Sequence, residues 1–338
     1  MFLRITITLL GFLFSISINA YAQHEKHEQE NQKVARVAFY NVENLFHPQN
    51  DSLTRDDEFT PEGSKKWNYY RYEKKLLGIY KVLMAMGKKM PPDIIGLCEI
   101  ENVWTLHDLL KKTPLVAFNY NFLHKESPDE RGIDVAFLYN KDILRPLHYD
   151  PIQVNISGDK TRDVLYVKGI LHRKDTFHFF VNHWPSRWGG QLASEPDRIF
   201  VANLLKQKVD SLLGINKRAK ILIMGDFNDT PNDKSIRHIL QAGYNDHDGP
   251  LLNLMEAIAK KGQGTITTTS PFTQWHIFDQ LICSKSVFEE NVPEKQAFVF
   301  SAGWMLDKNG RPYRTYLGPV YKGGFSDHLP VYVDLQIK

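Results

Sequence analysis

Predicted β-strands occur in consecutive pairs along this chain, and predicted helices are inserted only between the pairs. The apolar runs 164–171 and 176–182, for example, are joined by a short turn into a hairpin. A doubly wound parallel sheet instead needs a helix after almost every strand. The pattern therefore favours an α+β architecture or a mixed-sheet sandwich.

The other predicted elements fit one domain. Further strands are predicted at 34–40, 93–100, 120–124, 133–139, 219–225, 277–283, 297–300 and 330–337. Helices are predicted from apolar spacing and turn residues at 69–86, 196–213 and 233–241. Residues 50–66 and 243–274 are predicted to be long irregular segments. No linker or repeat divides the chain, so a single domain is expected over 34–338.

The first 22 residues have the features of an export signal. Arg4 precedes a short apolar run, and residues 20–22 are Ala-Tyr-Ala, a typical cleavage pattern. A membrane anchor is the alternative, but the run is too short to span a bilayer comfortably and no stop-transfer charges follow it. We expect cleavage after residue 22, a flexible leader over 23–33, and an exported monomer, periplasmic or extracellular, without a stable membrane anchor.

The formal net charge is +3 and falls by one when Arg4 is removed. This near-neutral charge gives no support to binding nucleic acid through overall basicity, although a local basic groove stays open. Cys98 and Cys283 lie inside predicted apolar strands. We predict two buried free thiols, with oxidation in an exported protein as the alternative. Two cysteines so far apart in sequence do not make a zinc cluster.

Polar residues interrupt two apolar runs near the start of the domain. Asn41 and Glu43 follow the first strand, and Glu99 lies within the run 93–100. A carboxylate inside an apolar strand is costly unless it is paired or bound to a cation. Mg²⁺ prefers a few oxygen ligands and retains waters, so this set suits it. The alternative is that Glu99 lies past the strand end, in solvent.

A third motif, Gly-Asp-Phe-Asn, follows the most apolar strand. Asp226 and Asn228 point the same way if the strand pattern continues for two residues beyond it. A carboxylate there can orient or deprotonate water, and the amide can hold water or a phosphate. An ordinary strand-to-loop turn is the alternative, because Gly, Asp and Asn are common turn residues.

The fourth motif, Ser-Asp-His, leads into the last strand. His328 follows Asp327 and is suited to acid–base chemistry, but it needs a carboxylate to fix its tautomer. Asp279 is the natural candidate, with a buried loop-capping role as the alternative.

One more polar stretch ends the predicted strand 176–182. His183 ends that strand, and Arg187 with the following Gly pair is suited to holding a phosphate, because guanidinium matches phosphate bidentately. Trp184 is better explained by packing. For Trp188, packing and stacking on a substrate ring both stay open.

In this order, the motifs resemble the endonuclease/exonuclease/phosphatase superfamily, over roughly residues 34 to 337. The resemblance implies two mixed β-sheets packed as a sandwich with outer helices, in four layers α/β/β/α. It also implies a site that uses Mg²⁺ or Mn²⁺. The metal ligands would be Glu99, Asn41, Glu43 and Asp327; the catalytic groups would be His183, Asp226, Asn228, Asp279 and His328; Asn41 and Arg187 would bind substrate. The stretch 131–136, Arg-Gly-Ile-Asp-Val-Ala, is also similar to the family, but we assign its residues no role.

The resemblance implies a metal-dependent phosphodiester hydrolase, and the first interpretation is an exported nuclease. The motifs around Asn41 and His183 resemble secreted bacterial members. The alternative is a phosphatase or phospholipase C-like enzyme acting on inositol phosphates, sphingomyelin or other small phosphate esters. The segment 304–321 is rich in aromatic residues interrupted by arginines, which fits either a lipid headgroup or nucleic acid. A catalytically inactive binding module is the third hypothesis, and the intact set of motifs argues against it.

Overall fold

The computed structural model describes residues 33–87, 89–244, 249–268 and 273–337. Its strands are β1 (Lys33–Leu45), β2 (Ile94–Ile100), β3 (Tyr120–His124), β4 (Asp134–Asn140), β5 (Leu144–Ile152), β6 (Asn155–Ile156), β7 (Asp159–Lys160), β8 (Val164–Leu171), β9 (Asp175–His183), β10 (Lys220–Asp226), β11 (Ala242–Gly243), β12 (Leu251–Asn253), β13 (Ile266–Thr268), β14 (Gln274–His276), β15 (Asp279–Ser284), β16 (Phe298–Val299), β17 (Tyr316–Leu317), β18 (Val320–Tyr321) and β19 (Val331–Ile337). Its α-helices are α1 (Tyr69–Gly87), α2 (Val103–Lys111), α3 (Gln191–Ile215), α4 (Glu256–Lys260) and α5 (Lys285–Glu290). The export signal and almost all of the predicted leader lie outside the described residues.

Two mixed sheets contain most of these strands. The first has the order β16-β19-β1-β2-β4-β3 and the second the order β11-β12-β15-β10-β9-β8-β5. In the first sheet β1 is parallel to β2 and antiparallel to β19. In the second, β10 is parallel to β9 and antiparallel to β15. Each sheet therefore contains one parallel pair at its centre, whose strands end on the same side.

Three apolar clusters hold the layers together. The inner one packs the two sheets face to face and includes Phe39, Phe137 and Phe179. A second fills the space between the first sheet and helices α1 and α2, and a third the space between the second sheet and α3. Apolar area removed from water is the main favourable term in such packing. The predicted four-layer α+β sandwich is confirmed.

The structure differs from the predicted elements mainly in polar or short segments. Strand β5 was missed because it is an edge strand with two prolines and mostly exposed side chains, so it lacks an alternating pattern. Helix α2 was missed because it has only nine residues, although Asn102 caps it by accepting from two backbone N–H groups. Helix α3 begins at Gln191, before Pro196 rather than at it. The segment predicted to be irregular from residue 243 contains β12, α4 and β13, and 233–241 forms a single π-helical turn, Ser235–Ile239.

The two cysteines are buried free thiols in the structure, as predicted. Cys98 and Cys283 are both buried and unbonded to one another. Burial raises the pKa of both thiols above the ordinary value, which disfavours the reactive thiolate.

Candidate active site

The predicted site residues meet where the central strands of both sheets end. In the second sheet Asp226 pairs in register with His183 of β9 on one side and with Asp279 of β15 on the other. Gly225 makes this row possible, because a Cβ there would lie 2.5 Å from Cβ of Asn182. From the first sheet, Asn41 and Glu99 reach the same place.

Asn41 connects the two sheets. Its Nδ2 donates to Oε1 of Glu99 and to Oδ2 of Asp226, both at 3.0 Å. Its Oδ1 accepts from the backbone N–H of Glu43 at 2.9 Å. Because Asn41 is fully buried, these bonds fix the spacing of the two carboxylates. The NH₂ group of Asn41, and not its side-chain oxygen, therefore faces Glu99 and Asp226. The structure does not show the oxygen in the position that the predicted role of metal ligand requires.

The backbone around these residues adopts an uncommon conformation. Glu43, Asn44, Glu99 and Asn228 have φ of 54°, 57°, 62° and 49°, in the left-handed region that non-glycine residues seldom occupy. The β1–β2 pairing shifts its register between Asn41 and Leu45. This distortion directs the Asn44 N–H onto Oε2 of Glu99 at 2.8 Å. Strain of this kind persists where surrounding contacts hold it, and it is often found at functional sites.

Glu99 has the environment expected of a cation ligand. Its side chain is 15% exposed, so the alternative that it lies in open solvent does not hold. Its bonds come from neutral donors of Asn41 and Asn44, and among the described residues no Lys or Arg forms an ion pair with it. The carboxylate of Asp226 lies near that of Glu99, because Nδ2 of Asn41 donates to both. A carboxylate without a Lys or Arg partner, beside a second carboxylate, fits a divalent metal ion that retains waters.

His328 and Asp279 form the predicted pair. Nδ1 of His328 lies 2.7 Å from Oδ2 of Asp279, and its Nε2 lies 3.7 Å from Oδ2 of Asp226. Burial opposes protonation of His328, but the carboxylates of Asp279 and Asp226 outweigh it and hold the imidazole pKa well above its ordinary value. Asp279 therefore faces the catalytic histidine candidate and does not cap a loop.

His183 lies on the other side of Asp226, and its pKa is shifted in the opposite direction to that of His328. Its Nε2 is 3.8 Å from Oδ2 of Asp226 and 4.0 Å from Oε1 of Glu99. Burial, together with the nearby Arg162 and Arg131, holds its pKa well below the ordinary value, which favours the neutral imidazole. The pKa values of the two histidines that flank Asp226 are thus shifted in opposite directions. Burial raises the pKa of Asp226 itself to about 6, with His328 opposing the shift.

Asn228 does not continue the strand pattern beyond Asp226. Its positive φ turns the chain, so that its backbone N–H donates to Oδ1 of Asp226 at 3.0 Å. Its side-chain Nδ2 donates to the Trp184 carbonyl at 3.0 Å. The strand pattern on which the shared direction of the two side chains was predicted therefore does not continue to Asn228. The side-chain oxygen of Asn228 and the second N–H of its Nδ2 remain for water or phosphate.

Arg187 contacts carboxylates of the protein. Its Nη2 lies 3.0 Å from Asp229 and 2.6 Å from Asp233, and its Nε donates to the Asn228 carbonyl at 2.7 Å. These contacts hold the loop after Asp226 and engage Nε and Nη2 of Arg187, and the role of Arg187 in binding substrate stays a prediction. In the same stretch Trp184 is buried, as expected for packing, whereas Trp188 is 91% exposed.

Glu43 and Asp327 lie in a second charged network beside the cluster. Oε2 of Glu43 accepts from the Thr315 N–H at 2.5 Å and lies 4.0 Å from Nζ of Lys75. Asp327 forms an ion pair with Arg314. Burial, with Asp327 nearby, raises the pKa of Glu43 to about 7. Burial opposes ionisation of Asp327, but His328 and Arg314 keep its pKa below the ordinary value. Both carboxylates already have cationic partners, so the structure does not place them as free metal ligands.

Sequence reasoning missed the buried cations that hold the site together. Lys75 lies on α1 and donates to Thr315 Oγ1 at 2.5 Å and to the Phe325 carbonyl at 2.7 Å. Arg162 bonds Asp129 at 3.0 Å and the Trp184 carbonyl at 2.8 Å. Lys75 had a signal, because it falls on the apolar face of its helix, three residues after Tyr72. We find no comparable signal for Arg162.

The sequence profile of the Endonuclease/Exonuclease/phosphatase family matches residues 36–337. A sequence search of curated proteins finds no match. Among solved structures, TDP2 from Caenorhabditis elegans superposes with a TM-score of 0.59 at 15% identity, over 90% of this chain and 75% of that chain. D. rerio TDP2 complexed with single strand DNA product gives 0.56 at 16% identity, over 90% and 100%. A mannosyl-6-phosphatase from Bacteroides thetaiotaomicron gives 0.55 at 19%, over 89% and 99%.

The chain belongs to the Endonuclease/Exonuclease/phosphatase family, as its motifs predicted. At such low identities the structural likenesses show a shared fold and leave the substrate of this chain open.

Proposed function

We propose that this protein hydrolyses phosphate esters with the help of a divalent cation, Mg²⁺ or Mn²⁺. The observation that carries the proposal is the Asn41 amide, which holds the carboxylates of Glu99 and Asp226 together across the two sheets. Paired carboxylates beside a histidine–aspartate pair are suited to activating water and stabilising negative charge. The family and its nuclease and phosphatase structures support this reading.

Each group then has a defined task. Glu99 would hold the cation, with Asp226 beside it. When bound, a divalent cation supplies positive charge to a phosphate oxygen. Asp226 accepts a proton from the attacking water as the new phosphorus–oxygen bond forms. The ester bond breaks, and the leaving alkoxide takes up a proton from solvent to depart as the alcohol. Protonated His328 donates its Nε2–H to a phosphate oxygen, and Asp279 accepts from Nδ1–H, which orients the ring and favours its protonated form.

Two substrate classes are compatible with this chemistry. The sequence favoured an exported nuclease, and a TDP2 structure contains a DNA product. A small phosphate ester is favoured by one structural observation, a cavity of about 660 Å³ whose wall includes Asp327. This volume is within the usual range of small-molecule sites. The B. thetaiotaomicron structure with the same fold is named as a mannosyl-6-phosphatase, which supports a sugar phosphate as the kind of substrate. We therefore place the small ester first.

We also propose that the protein acts outside the cytoplasm as a monomer, after removal of residues 1–22. The apolar run and Ala-Tyr-Ala pattern support this. None of the helices in the described part of the chain has the length and hydropathy that crossing a bilayer requires.

The test is metal-dependent hydrolysis by residues 23–338 of plasmid DNA, RNA, sphingomyelin, inositol polyphosphates and an aryl phosphodiester. We expect turnover that stops with EDTA and falls at least a hundredfold in Asp226→Asn and His328→Ala. Asp210→Asn, an exposed carboxylate on α3, is the matched control and should keep full activity. Turnover of nucleic acid alone would restore the nuclease reading. No turnover of any substrate with any divalent metal would contradict the proposed function and favour a binding module.

A further inference from the structure

The cavity beside Asp327 is formed by two segments that the proposed mechanism does not use. One wall is the loop from Leu306 to Arg314, and the other is the end of β13 at Thr267 and Thr268. The start of β13 is attached to the catalytic region, because Ile266 forms a bridge with His328 and the Leu329 N–H donates to Thr265 at 2.7 Å. A molecule in the cavity would therefore lie next to the reacting phosphate.

More positively than negatively charged side chains line this cavity. Asp307 is occupied by Arg311, whose Nη2 lies 2.8 Å from Oδ2, and Asp327 is occupied by Arg314. Lys308 and Lys322 also line the cavity. Both are exposed, and no carboxylate within the described ranges lies at ion-pair distance from either ammonium group. Two uncompensated positive charges remain, which favours an anionic ligand.

The rest of the lining sets the size and character of the ligand. Leu306, Pro312 and Leu317 provide apolar surface, and Thr267 and Thr268 provide hydroxyl groups. A ring with hydroxyl groups, such as a sugar or cyclitol, matches this mixture. The volume of about 660 Å³ fits one such molecule, since small-molecule sites usually measure about 300–1,000 Å³.

The aromatic residues of this region do not form a membrane-facing hairpin. Tyr316 is buried and packs at 6.0 Å from Trp67, and Trp304 packs at 4.8 Å from Phe325. The exposed apolar residues at the β17–β18 tip are Leu317, Pro319 and Val320. The segment therefore shapes a cavity and leaves little surface for a bilayer.

From these observations we infer that the cavity binds a second anionic group of the substrate, so that the enzyme selects small phosphate esters bearing two phosphates on a ring. Lys308 and Lys322 contact the second phosphate, while the first lies at Glu99, Asp226 and His328. This inference rests on the proposed function for the position of the first phosphate.

Binding measurements test the inference without relying on turnover. The parent and Asp226→Asn proteins would be titrated with fructose 1,6-bisphosphate and fructose 6-phosphate by calorimetry, with Mg²⁺ present. We expect the bisphosphate to bind more tightly than the monophosphate in both proteins. Lys308→Ala with Lys322→Ala should reduce the ratio of the two dissociation constants about tenfold, because charge-assisted bonds to the second phosphate are lost. Lys217→Ala, an exposed lysine beside the start of β10, should leave the ratio unchanged.

Several results would overturn the inference. Equal affinity for the two sugars in the parent would do so, as would a ratio that the double variant does not change. Cleavage of single-stranded DNA that falls in the double variant, with no selective binding of the bisphosphate, would show that the lysines follow a nucleic-acid strand. Selective bisphosphate binding without hydrolysis of any phosphate ester would instead uphold the cavity and contradict the proposed function.

Discussion

Nδ1 of His328 lies 2.7 Å from Oδ2 of the fully buried Asp279, and this contact directs the other ring nitrogen towards Asp226. The carboxylate both fixes the tautomer and favours the protonated imidazole. A protonated imidazole is a donor at both nitrogens, so Nε2 can donate to a phosphate oxygen while Nδ1 stays on Asp279.

The first prediction concerns Asp279→Asn. Removing the negative charge lowers the pKa of His328 and leaves more of the imidazole neutral, so we expect kcat to fall about a hundred- to a thousandfold. The free energy of unfolding should not decrease strongly, because the asparagine has nearly the same shape and the buried Oδ1 of Asp279 has no hydrogen-bond partner in the described structure.

Steady-state kinetics and urea unfolding would measure these two effects. Asp279→Asn combined with His328→Ala should lose little more activity than His328→Ala alone, because residues that act as a unit are not additive. A multiplicative loss in the double variant would show that Asp279 acts separately from His328.

The second prediction concerns metal binding at Glu99. A ligand that binds only the folded protein stabilises it, so we expect Mg²⁺ or Mn²⁺ to raise the midpoint of thermal unfolding and EDTA to reverse the effect. Glu99→Gln should abolish most of this rise, because it removes the carboxylate that lacks a cationic partner. Glu289→Gln, which changes an exposed carboxylate in α5, should keep the full rise. An unchanged response in Glu99→Gln would locate the cation elsewhere.

The third prediction tests whether Arg187 stabilises the loop after Asp226 or binds substrate. Arg187→Ala leaves the buried Asp229 with one partner fewer, because only the ion pair with Arg198 and the bond from Ser235 remain. We expect the free energy of unfolding to fall by about 1–3 kcal/mol and kcat to fall as the Asp226 loop loses its support. Inhibition by inorganic phosphate should be unchanged, and Arg187→Lys should recover part of the stability. Weaker phosphate inhibition with unchanged stability would restore the substrate-binding role.

The fourth prediction is a pH effect on stability at His178, which is far from the reacting groups. Burial, with Lys168 and Lys208 nearby, lowers the pKa of His178 to about 4. In the unfolded chain the pKa returns to about 6.5. Between these values the unfolded state binds more protons, so the free energy of unfolding falls as the pH is lowered from about 6.5 to about 4.

His178→Gln should remove this contribution, which we place at about 1–2 kcal/mol after allowing for partial solvent screening. Urea unfolding at pH 7 and pH 4.5 would measure it as the difference in pH dependence between the two proteins. Identical pH dependence would mean that His178 titrates alike in the folded and unfolded states.

The sequence by itself determined the α+β class of the fold, and its resemblance to the family implied the four layers and the central groups of the site. Apolar periodicity reflects which faces are buried, and it placed the core strands and helix α1 because burial there is nearly complete. Polar residues at the ends of apolar runs cost free energy to bury unless they are paired or functional. This rule identified Asn41, Glu99, Asp226, Asp279 and His328 as candidates. Edge strand β5 left no such pattern, since only one of its sides is paired and most of its side chains are exposed.

Only the tertiary structure decided which groups face each other. Arg187 was predicted to bind phosphate, and in the structure its Nη2 pairs with Asp229 and Asp233, which become its neighbours only when the loop after β10 folds back. The opposite pKa shifts of His183 and His328 likewise depend on which carboxylates and arginines surround each ring. The sequence tells which donors and charged groups are present. The energy of each pair depends on the distance between the two groups and on their burial, and both are set only when the two sheets pack together.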